Sequence, residues 1–340
     1  MKKALIALSG GVDSAVAAYL TAKAGYDCIG VTMQLLDGCE KNIEDAEKCA
    51  KVIGIPFVSV DYQKEFKEKI INDFVHSYEQ GETPNPCVLC NKTMKFGLLF
   101  DKAKELDCDI IVTGHYAKIT KYGDDFFLEK SANTKKDQSY FLYSLSRELL
   151  PHIMFPLESY DKSTIREIAA KLGLVSAEKK DSQDICFVQN GEYAKVIESI
   201  TKKEYPKGDF VDLSGKKLGT HQGLIRYTVG QRKGLGVAFG KPMYVGKKDA
   251  DLNQVILCED SELFSTELIA KDFNWLVPQG SVEFRSKARI RYRHEEQPCT
   301  VSVEKDTVHI SFDQPQRAIT PGQSVVLYEG NRIIGGGIIL

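Results

Sequence analysis

The sequence predicts an α/β fold with a parallel sheet, followed by a small central β-containing domain and a C-terminal β-barrel. Short β-rich runs alternate with helical patterns over residues 1–198, and a linker containing Lys, Pro and Gly follows. Beyond the linker, short alternating segments are separated by turn residues. The expected domains are therefore 1–198, 199–260 and 261–340. A length of 340 residues suits two or three domains.

Within the first domain, strand and helix patterns follow one another in order. Strands are expected in KALIAL, DCIGVTM, PFVSVDY and CDIIVTGHYA, and helices in DSAVAAYLTAKAGY, IEDAEKCAKVIG and MKFGLLFDKAKELD. Asp13 and Ser14 suit the start of the first helix and Gly25 suits its end. Ligands of such sheets lie beyond the carboxyl ends of the strands, so the functional site is expected at that edge.

The C-terminal part has an all-β pattern. Strands are expected in QVILCED, KARIRYRHE, CTVSVEKDTVHISF and SVVLYEGNRIIGGGII. In KARIRYRHE, the residues Arg289, Arg291 and Arg293 alternate, which predicts a row of guanidinium groups on one strand face. Such a row suits contacts with nucleic-acid phosphates, and the alternative is an ordinary solvated strand face.

The composition is that of an ordinary soluble protein, with 43% apolar and 27% charged residues. No apolar run reaches the ~18 residues of a membrane span. The N-terminal MKKALIALSGG resembles a signal peptide only until Asp13, so a first strand and a cytoplasmic location are expected. A net charge of −2 argues against a uniformly basic nucleic-acid binder but allows a local basic surface.

Nine cysteines, an odd number, do not indicate a disulfide framework. Six of them are predicted to be packing or incidental residues: Cys28, Cys39, Cys49, Cys108, Cys258 and Cys299. The stretch TPNPCVLCNK contains two of the other three, with two residues between them. This spacing suits a metal site, a redox disulfide or a sulfur nucleophile.

A glycine-rich loop, ALSGGVDSA, follows the first strand and opens the first helix. Gly10 and Gly11 let the backbone approach an anion, the helix N-terminus faces it, and Ser9 and Ser14 supply hydroxyl donors. The loop lacks the lysine of a Walker A motif and does not fit G-x-G-x-x-G. A simple glycine turn with a helix cap is the alternative.

The SGG-x-DS pattern resembles that of the PP-loop ATP pyrophosphatases (adenine nucleotide α-hydrolase-like). The resemblance implies cleavage of ATP to AMP and pyrophosphate while a substrate oxygen is adenylated, with Mg²⁺ shared by Asp13 and the phosphates. The implied ATP-binding residues are Ala7, Leu8, Ser9, Gly10, Gly11, Val12, Asp13, Ser14, Met33 and Gly114. For Met33, core filling is the alternative to packing on adenine.

A larger set of motifs resembles the tRNA-specific 2-thiouridylases over essentially the whole chain. These motifs are the PP-loop, TPNPCVLCNKTMKFG, TGHYA, KDQSYFLY, KKDSQDICF, HQGLIRYTVGQRKGLG and TPGQSVVLYEG…GGGII. The resemblance implies an ATP-dependent tRNA-uridine 2-sulfurtransferase that replaces the C2 oxygen of the wobble uridine, position 34, by sulfur. The expected partners are tRNAs of the Lys, Glu and Gln type and a sulfur donor: a cysteine desulfurase, a relay protein or free sulfide.

The same resemblance implies residue roles. Cys90 is the nucleophile-side cysteine and Cys186 carries the sulfur as a persulfide. The implied tRNA-binding residues are Asn85, Pro86 and Cys87, which line the base pocket, and His115, Lys136, Asp137, Gln138, Arg291, Tyr292 and Gln323. The HQGLIRYTVGQRKGLG stretch is expected to be a loop near the active site that orders when tRNA docks.

Position 87 departs from the family pattern, because many members have aspartate where this chain has cysteine. Cys87, Cys90 and Cys186 could hold a 4Fe–4S cluster with one open iron, with zinc as a weaker alternative. Cys87 could equally be a plain pocket residue while the persulfide route operates alone. The nearby Lys92, Lys179 and Lys180 are expected to favour the thiolate form by their charge.

Two other function classes compete with thiolation. One is a PP-loop adenylating ligase acting on a small substrate, which needs neither the cysteine pair nor this β-rich tail. The other is a nucleotide-regulated metal- or RNA-binding module without catalysis, which the intact phosphate loop opposes.

Overall fold

The computed structural model describes residues 2–174, 185–188, 191–237, 240–278 and 280–340. The strands of the first domain are β1 (Lys3–Ala7), β2 (Asp27–Gln34), β3 (Phe57–Asp61), β4 (Ile110–Val112), β5 (Ala117–Tyr122), β6 (Asp125–Lys130) and β7 (Ile153–Met154). Five of them form a parallel sheet in the order β3-β2-β1-β4-β7. The predicted parallel sheet is therefore confirmed.

Helices cover both faces of this sheet. The helices of the described residues are α1 (Val12–Lys23), α2 (Glu40–Ile53), α3 (Gln63–Phe66), α4 (Asn72–Glu79), α5 (Pro86–Cys90), α6 (Leu99–Glu105), α7 (Lys162–Lys171) and α8 (Tyr193–Thr201). Wider π-helical stretches, Lys67–Ile71 and Asn91–Leu98, join α3 to α4 and α5 to α6. Short 3₁₀ turns occupy Ser139–Phe141, Arg147–His152, Leu224–Arg226 and Asp260–Leu263.

The central strand β1 is buried on both sides, as its uninterrupted apolar sequence predicts. Ala4 and Ile6 pack with α1, α2 and α7 on one face. Leu5 faces the other side, where it joins a core that includes Phe96 and Leu99. Burying a Leu or Ile side chain contributes roughly 1.5–3 kcal/mol, so two cores fix the strand that leads into the glycine-rich loop.

The expected fourth strand is shorter than its sequence CDIIVTGHYA. β4 ends at Val112, and the chain turns through residues 113–115 before β5 begins at Ala117. The turn brings Gly114 against α1, which a continuing strand would not do. The β5–β6 hairpin then leaves the parallel sheet and pairs with the barrel.

A small sheet forms the central part of the chain. Its strands are β8 (Gly208–Val211), β9 (Lys217–His221), β10 (Tyr244–Asp249) and β11 (Gln254–Cys258), in the order β10-β11-β8-β9. The HQGLIRYTVGQRKGLG stretch, residues 221–236, leaves β9 at His221 and contains no strand from residue 222 onwards. Leu224 and Tyr227 are buried in the core of this sheet, and the ordering of the stretch on tRNA docking stays a prediction.

Six antiparallel strands close the C-terminal barrel. They are β12 (Phe264–Trp275), β13 (Glu283–Arg289), β14 (Gln297–Glu304), β15 (Thr307–Arg317), β16 (Ser324–Glu329) and β17 (Arg332–Ile339). The order is β12-β15-β14-β13-β16-β17, and β17 pairs back with β12. This closure confirms the predicted barrel.

The predicted arginine row on one strand face is wrong. β13 ends at Arg289, and residues 291–293 form a turn before β14. Arg289 is turned inward, where it pairs with Glu296 at 2.9 Å and lies over the Tyr328 ring. Only Arg291 and Arg293 are exposed, because the strand pattern of alternating residues stops before them.

The barrel and the first domain share one hydrophobic core. Tyr328 and Ile333 of the barrel belong to the same cluster as Leu5 and Tyr140 of the first domain. The Tyr140 hydroxyl donates to the Ser324 carbonyl at 2.8 Å, and Lys130 pairs with Glu296 at 2.7 Å. No helix in the described segments is long and apolar enough to cross a membrane.

Candidate active site at the carboxyl edge of the parallel sheet

The glycine-rich loop lies at the carboxyl end of β1, as predicted. Ser14 Oγ accepts from the Ser9 N–H at 3.1 Å, donates to the Gly11 carbonyl at 3.0 Å and lies 3.1 Å from Ser9 Oγ. Gly10 packs so closely on α2 that a Cβ would lie 2.7 Å from the Asn42 carbonyl. The loop is therefore preformed, with the N-terminus of α1 directed at the space where an anion would bind.

Position 114 has no room for a side chain, so it requires glycine. A Cβ at this position would lie 2.8 Å from both the Asp13 carbonyl carbon and the Ser14 nitrogen. The turn after β4 therefore lies directly on the first turn of α1. Met33, near the end of β2, is half-buried against the core. Its contact with adenine stays a prediction.

Asp13 has two partners that sequence reasoning missed. Lys162 Nζ lies 2.7 and 2.8 Å from the two carboxylate oxygens, and the Tyr116 hydroxyl donates to one of them at 2.8 Å. Lys162 is the first residue of α7, where the helix dipole disfavours a positive charge. A lysine directly after the capping residue Asp161 conflicts with the helix dipole. This conflict could have marked Lys162 as a functional residue from the sequence.

Both oxygens of the Asp13 carboxylate pair with Lys162 in this structure, so the expected contact of Asp13 with Mg²⁺ stays a prediction. Throughout the described ranges, no three His, Cys, Asp or Glu side chains are grouped to hold a metal ion. Cys87, Cys90 and Cys186 therefore do not form such a group in this structure, and the expected 4Fe–4S or zinc site stays a prediction.

Two thiols lie on one face of a helical turn. Cys87 and Cys90 are three residues apart in α5, so their side chains point the same way. The following residues Asn91–Leu98 form a π-helical stretch, in which residues five apart are neighbours. This geometry brings Lys95 to the side of Cys90.

Cys186 reaches the same place from the segment 185–188. The neighbouring Phe187 anchors that segment, with its ring 5.1 Å from Phe74 and 5.9 Å from Phe66. Burial, followed by the charges of Cys90 and Cys87, raises the pKa of the Cys186 thiol to about 12. Cys90 and Phe187 belong to one hydrophobic cluster, so Cys186 lies in the same region as Cys90, although the three predicted cysteines are not grouped to hold a metal ion.

The other two thiols also have raised pKa values. Burial raises the pKa of Cys90 and of Cys87, and the positive charge of Lys95 opposes it in both. Cys87 and Cys186 meet solvent at the rim, but enough protein surrounds them to disfavour a negative charge. Lys95 is thus the lysine that acts on the site, whereas Lys92 is exposed and Lys179 and Lys180 lie outside the described residues.

His115 links the turn after β4 to the thiols. Its Nε2 lies 3.5 Å from Lys95 Nζ, and its Nδ1 lies 2.7 Å from Thr113 Oγ1. An ammonium group only donates, so Nε2 is the acceptor and Nδ1–H donates to Thr113. Burial and the charge of Lys95 hold the pKa of His115 well below its usual value. The imidazole is neutral at physiological pH.

The expected base pocket residues open helix α5. Asn85 precedes its first turn, Pro86 is buried at its first position, and Cys87 is open to solvent. Two side-chain bonds hold this helix against the segment at 141–144. Asn91 donates to the Phe141 carbonyl at 2.9 Å, and Ser144 donates to the Val88 carbonyl at 3.2 Å.

Three of the predicted tRNA contacts have hydrogen-bond partners within the protein. The buried Asp137 carboxylate accepts from the Ser131 N–H at 3.0 Å and from the Ser139 hydroxyl at 2.8 Å. The Gln138 side chain accepts from the Tyr116 N–H at 3.0 Å, and Gln323 donates to the Thr83 carbonyl at 2.8 Å. Their roles in binding RNA stay predictions.

The remaining predicted contacts lie near one surface. Tyr292 packs on Phe141 with ring centroids 4.5 Å apart, and Lys136 is half-buried on the adjacent segment. Arg291 Nη1 donates to the Arg317 carbonyl at 3.1 Å. Burial and the neighbouring Arg317 charge lower the pKa of Arg291. The Arg317 guanidinium group pairs with Asp260 at 2.9 Å, so Arg291 is the more exposed cation of the two.

Three domain families match the chain in order. A tRNA methyl transferase HUP domain matches residues 2–190, a tRNA methyl transferase PRC-barrel domain matches 194–259, and an aminomethyltransferase beta-barrel domain matches 265–339. The tRNA-specific 2-thiouridylase MnmA of Clostridioides difficile (strain 630) is 46% identical, covering 99% of this chain and 98% of that protein. The chain belongs to the tRNA-specific 2-thiouridylase family.

Other relatives agree with this membership of the 2-thiouridylase family. The MnmA 2-thiouridylase of Acetivibrio thermocellus is 44% identical over 99% of both chains. Among solved structures, the U34-tRNA thiolase NcsA from Methanococcus maripaludis with its [4Fe-4S] cluster has a TM-score of 0.38 and 19% identity, covering 59% of this chain and 65% of that one. A 4-thiouridine synthetase–RNA complex with bound ATP has a TM-score of 0.39 and 21% identity, over 54% and 44%. Both structural likenesses are partial, and neither bears on the activity.

Proposed function

We propose that this chain is a tRNA-uridine 2-sulfurtransferase that uses ATP to replace the C2 oxygen of the wobble uridine, position 34, by sulfur. One observation carries the proposal: the turn at residues 113–115 lies next to both the nucleotide loop and the region of the thiols. Gly114 lies against Asp13 and Ser14 of the nucleotide loop, and the next residue, His115, contacts Lys95 beside the thiols. The distance between an activated base and its sulfur donor is thereby kept short.

The first step is activation. A carbonyl oxygen is a poor leaving group, so the uridine O2 attacks the α-phosphorus of ATP and pyrophosphate leaves with the electron pair of the broken P–O bond. The N-terminus of α1 and the Ser9 and Ser14 hydroxyls bind phosphate oxygens. Mg²⁺ bound by ATP would neutralise charge on the phosphates; in this step Lys162 releases Asp13 and faces the leaving pyrophosphate.

The second step is sulfur transfer through Cys186 and Cys90. The terminal sulfur of a Cys186 persulfide attacks C2, and AMP leaves with the electrons of the C–O bond. The Cys90 thiolate then attacks Cys186 Sγ, breaks its bond to the transferred sulfur and leaves the thiocarbonyl on the base. A Cys90–Cys186 disulfide remains, which a cellular thiol reductant must reduce. Lys95 stabilises the anionic sulfur species by its charge.

The finer assignments belong to the same proposal. The residues 199–260 and 261–340 bind tRNA of the Lys, Glu and Gln type, and Asn85, Pro86 and Cys87 hold the splayed base. The sulfur comes from a cysteine desulfurase, a relay protein or free sulfide. A cytoplasmic location suits nine unpaired cysteines.

The decisive experiment combines product analysis with variants. We expect tRNA-dependent formation of AMP and pyrophosphate, and 2-thiouridine in the digested tRNA. Asp13→Ala should abolish pyrophosphate release, whereas Cys186→Ala should retain it and lose thiolation. ADP and inorganic phosphate as products would refute the adenylation step.

Iron content tests the remaining alternative for Cys87. The persulfide route predicts that an iron-free sample is fully active, that Cys87→Ala is tolerated and that a persulfide can be trapped on Cys186. A strict requirement for iron, with loss of visible absorption in Cys87→Ala, Cys90→Ala and Cys186→Ala alike, would replace the persulfide route by a cluster.

A further inference from the structure

The four residues 81–84, here called the junction segment, connect α4 to the helix that carries Cys87 and Cys90. They follow Gln80, the residue after the end of α4 at Glu79, and lead through Asn85 into α5. The position of the base pocket and of both thiols therefore depends on where this segment is held. Its backbone carbonyl and amide groups are bound by residues from two other parts of the chain.

The barrel holds the junction segment at Thr83. The Thr83 N–H donates to the Pro321 carbonyl at 2.9 Å, and the Gln323 side chain donates to the Thr83 carbonyl at 2.8 Å. Gly322 lies between these two contacts, and a Cβ on it would be 2.9 Å from both Glu82 Cβ and the Thr83 nitrogen. The barrel loop thus satisfies both backbone groups of one residue, as a neighbouring strand would.

The central sheet holds the preceding residue. Lys248, on β10, is buried, and its Nζ donates to the Glu82 carbonyl at 3.3 Å. The ammonium lies 5.7 Å from the centre of the Tyr78 ring, and the Lys248 Cβ would be 3.3 Å from a Cβ on Gly81. Burial lowers the pKa of Lys248 to about 8. A buried ammonium group is costly unless it is paired, and here its partners are the Glu82 carbonyl and the Tyr78 ring.

We propose that Lys248 and Gln323 are positioning residues for the thiolation reaction. From two separate domains they hold the consecutive carbonyls of Glu82 and Thr83, and through this junction segment they set the place of Cys87 and Cys90. The inference rests on the proposed function for its catalytic consequence. The site is then complete only when both β-rich domains are seated on the first domain.

The kinetic test uses the full-length protein and the variants Lys248→Met and Gln323→Leu. With saturating ATP, the rate of 2-thiouridine formation is measured against tRNA concentration. Each variant should lower kcat by about 10-fold, because small misplacements of reacting groups have effects of this order, and leave KM for tRNA within about 2-fold. Lys247→Met, the exposed neighbour on the same strand, and Gln314→Leu, an exposed barrel glutamine, should keep the wild-type kcat.

The structural test needs neither ATP nor tRNA. Amide hydrogen exchange is followed in peptides that cover residues 82–91, and both variants should speed it relative to wild type and to the two controls. Unchanged exchange overturns the inference, as does a higher KM with unchanged kcat, which would assign Gln323 to RNA contact. Faster exchange in a protein that releases no pyrophosphate with tRNA would overturn the proposed function and leave the positioning supported. If Lys248→Met does not fold, Gln323→Leu decides by the same measurements.

Discussion

At the scale of single residues, the site is defined by charges that face each other before any substrate arrives. Asp13 is held by Lys162 and Tyr116, and the positive charge of Lys95 favours the thiolate form of all three cysteines. The glycines, Asp13 and both family cysteines could be predicted from short motifs. Lys162 and Lys95 could not, because each comes from a different element and only the fold brings it to the site.

Lys162 is expected to bind the phosphates when ATP displaces it from Asp13. Lys162→Met should weaken ATP binding by about 10-fold or more, the usual value of a hydrogen bond to a charged group, and change AMP binding much less. Calorimetric titration of the protein with ATP and with AMP measures both. Lys171→Met, at the exposed far end of the same helix, is the matched control. Equal losses for ATP and AMP would contradict a role at the leaving phosphates.

The raised thiol pKa predicts how Cys186 reacts with pH. With a pKa of about 12, it is protonated at neutral pH, and its thiolate fraction grows about tenfold per pH unit below that value. The alkylation rate of Cys186 by iodoacetamide, followed by peptide mass spectrometry, should therefore rise steadily from pH 7 to 9 without a plateau. Lys95→Met should slow it further. A plateau below pH 8 would show that the thiol is already ionised.

At the scale of elements, the residue at which a strand or helix ends determines which side chains reach the site. β4 is shorter than its apolar sequence predicts, because the chain must turn at Gly114 to reach α1. The arginine pattern after β13 was misleading for a similar reason: alternation in sequence does not show where a strand ends. Local patterns predict which elements exist, whereas tertiary packing sets their last residues.

The contact at Gly114 can be tested by adding one methyl group. In Gly114→Ala, the new Cβ would meet backbone atoms of Asp13 and Ser14, which cannot move aside as a flexible side chain can. We expect a loss of about 1–3 kcal/mol in the free energy of unfolding, typical of overpacking, and about 10-fold weaker ATP binding. Urea denaturation and ATP titration measure these. Gly280→Ala, which would meet no atom within 4 Å, should match wild type in both.

At the scale of the whole molecule, three sheets form one continuous framework. The first domain and the barrel share a core, and Asn274 of the barrel donates to the Tyr143 and Leu145 carbonyls at 2.6 and 2.8 Å. The order of the three parts was predictable from the change in pattern along the chain. Their mutual packing was not, because contacts between residues over a hundred positions apart leave no periodic signal.

RNA binding should depend on a small basic part of the protein surface, since the whole chain has a net charge of −2. Arg291→Ala should weaken tRNA binding and reduce the slope of log Kd against log salt by about 1, as expected for one lost phosphate contact. Filter binding at several salt concentrations measures the slope. Arg285→Ala is the control variant, because Arg285 is an exposed barrel arginine that already pairs with Asp313. An unaltered slope for Arg291→Ala would remove it from the phosphate contacts.

The short pairing of the β5–β6 hairpin with β17 has a consequence for how the protein is made. Glu129 lies opposite Arg332, and the Lys130 N–H donates to the Asn331 carbonyl at 2.8 Å. On a ribosome adding about 5–20 residues per second, the hairpin is synthesised about 10–40 seconds before its partner strand. Throughout that interval its open edge is a template for pairing with another nascent chain. Efficient production of this protein should therefore depend on chaperones that shield unfinished chains, and on the rate at which the last strand is translated.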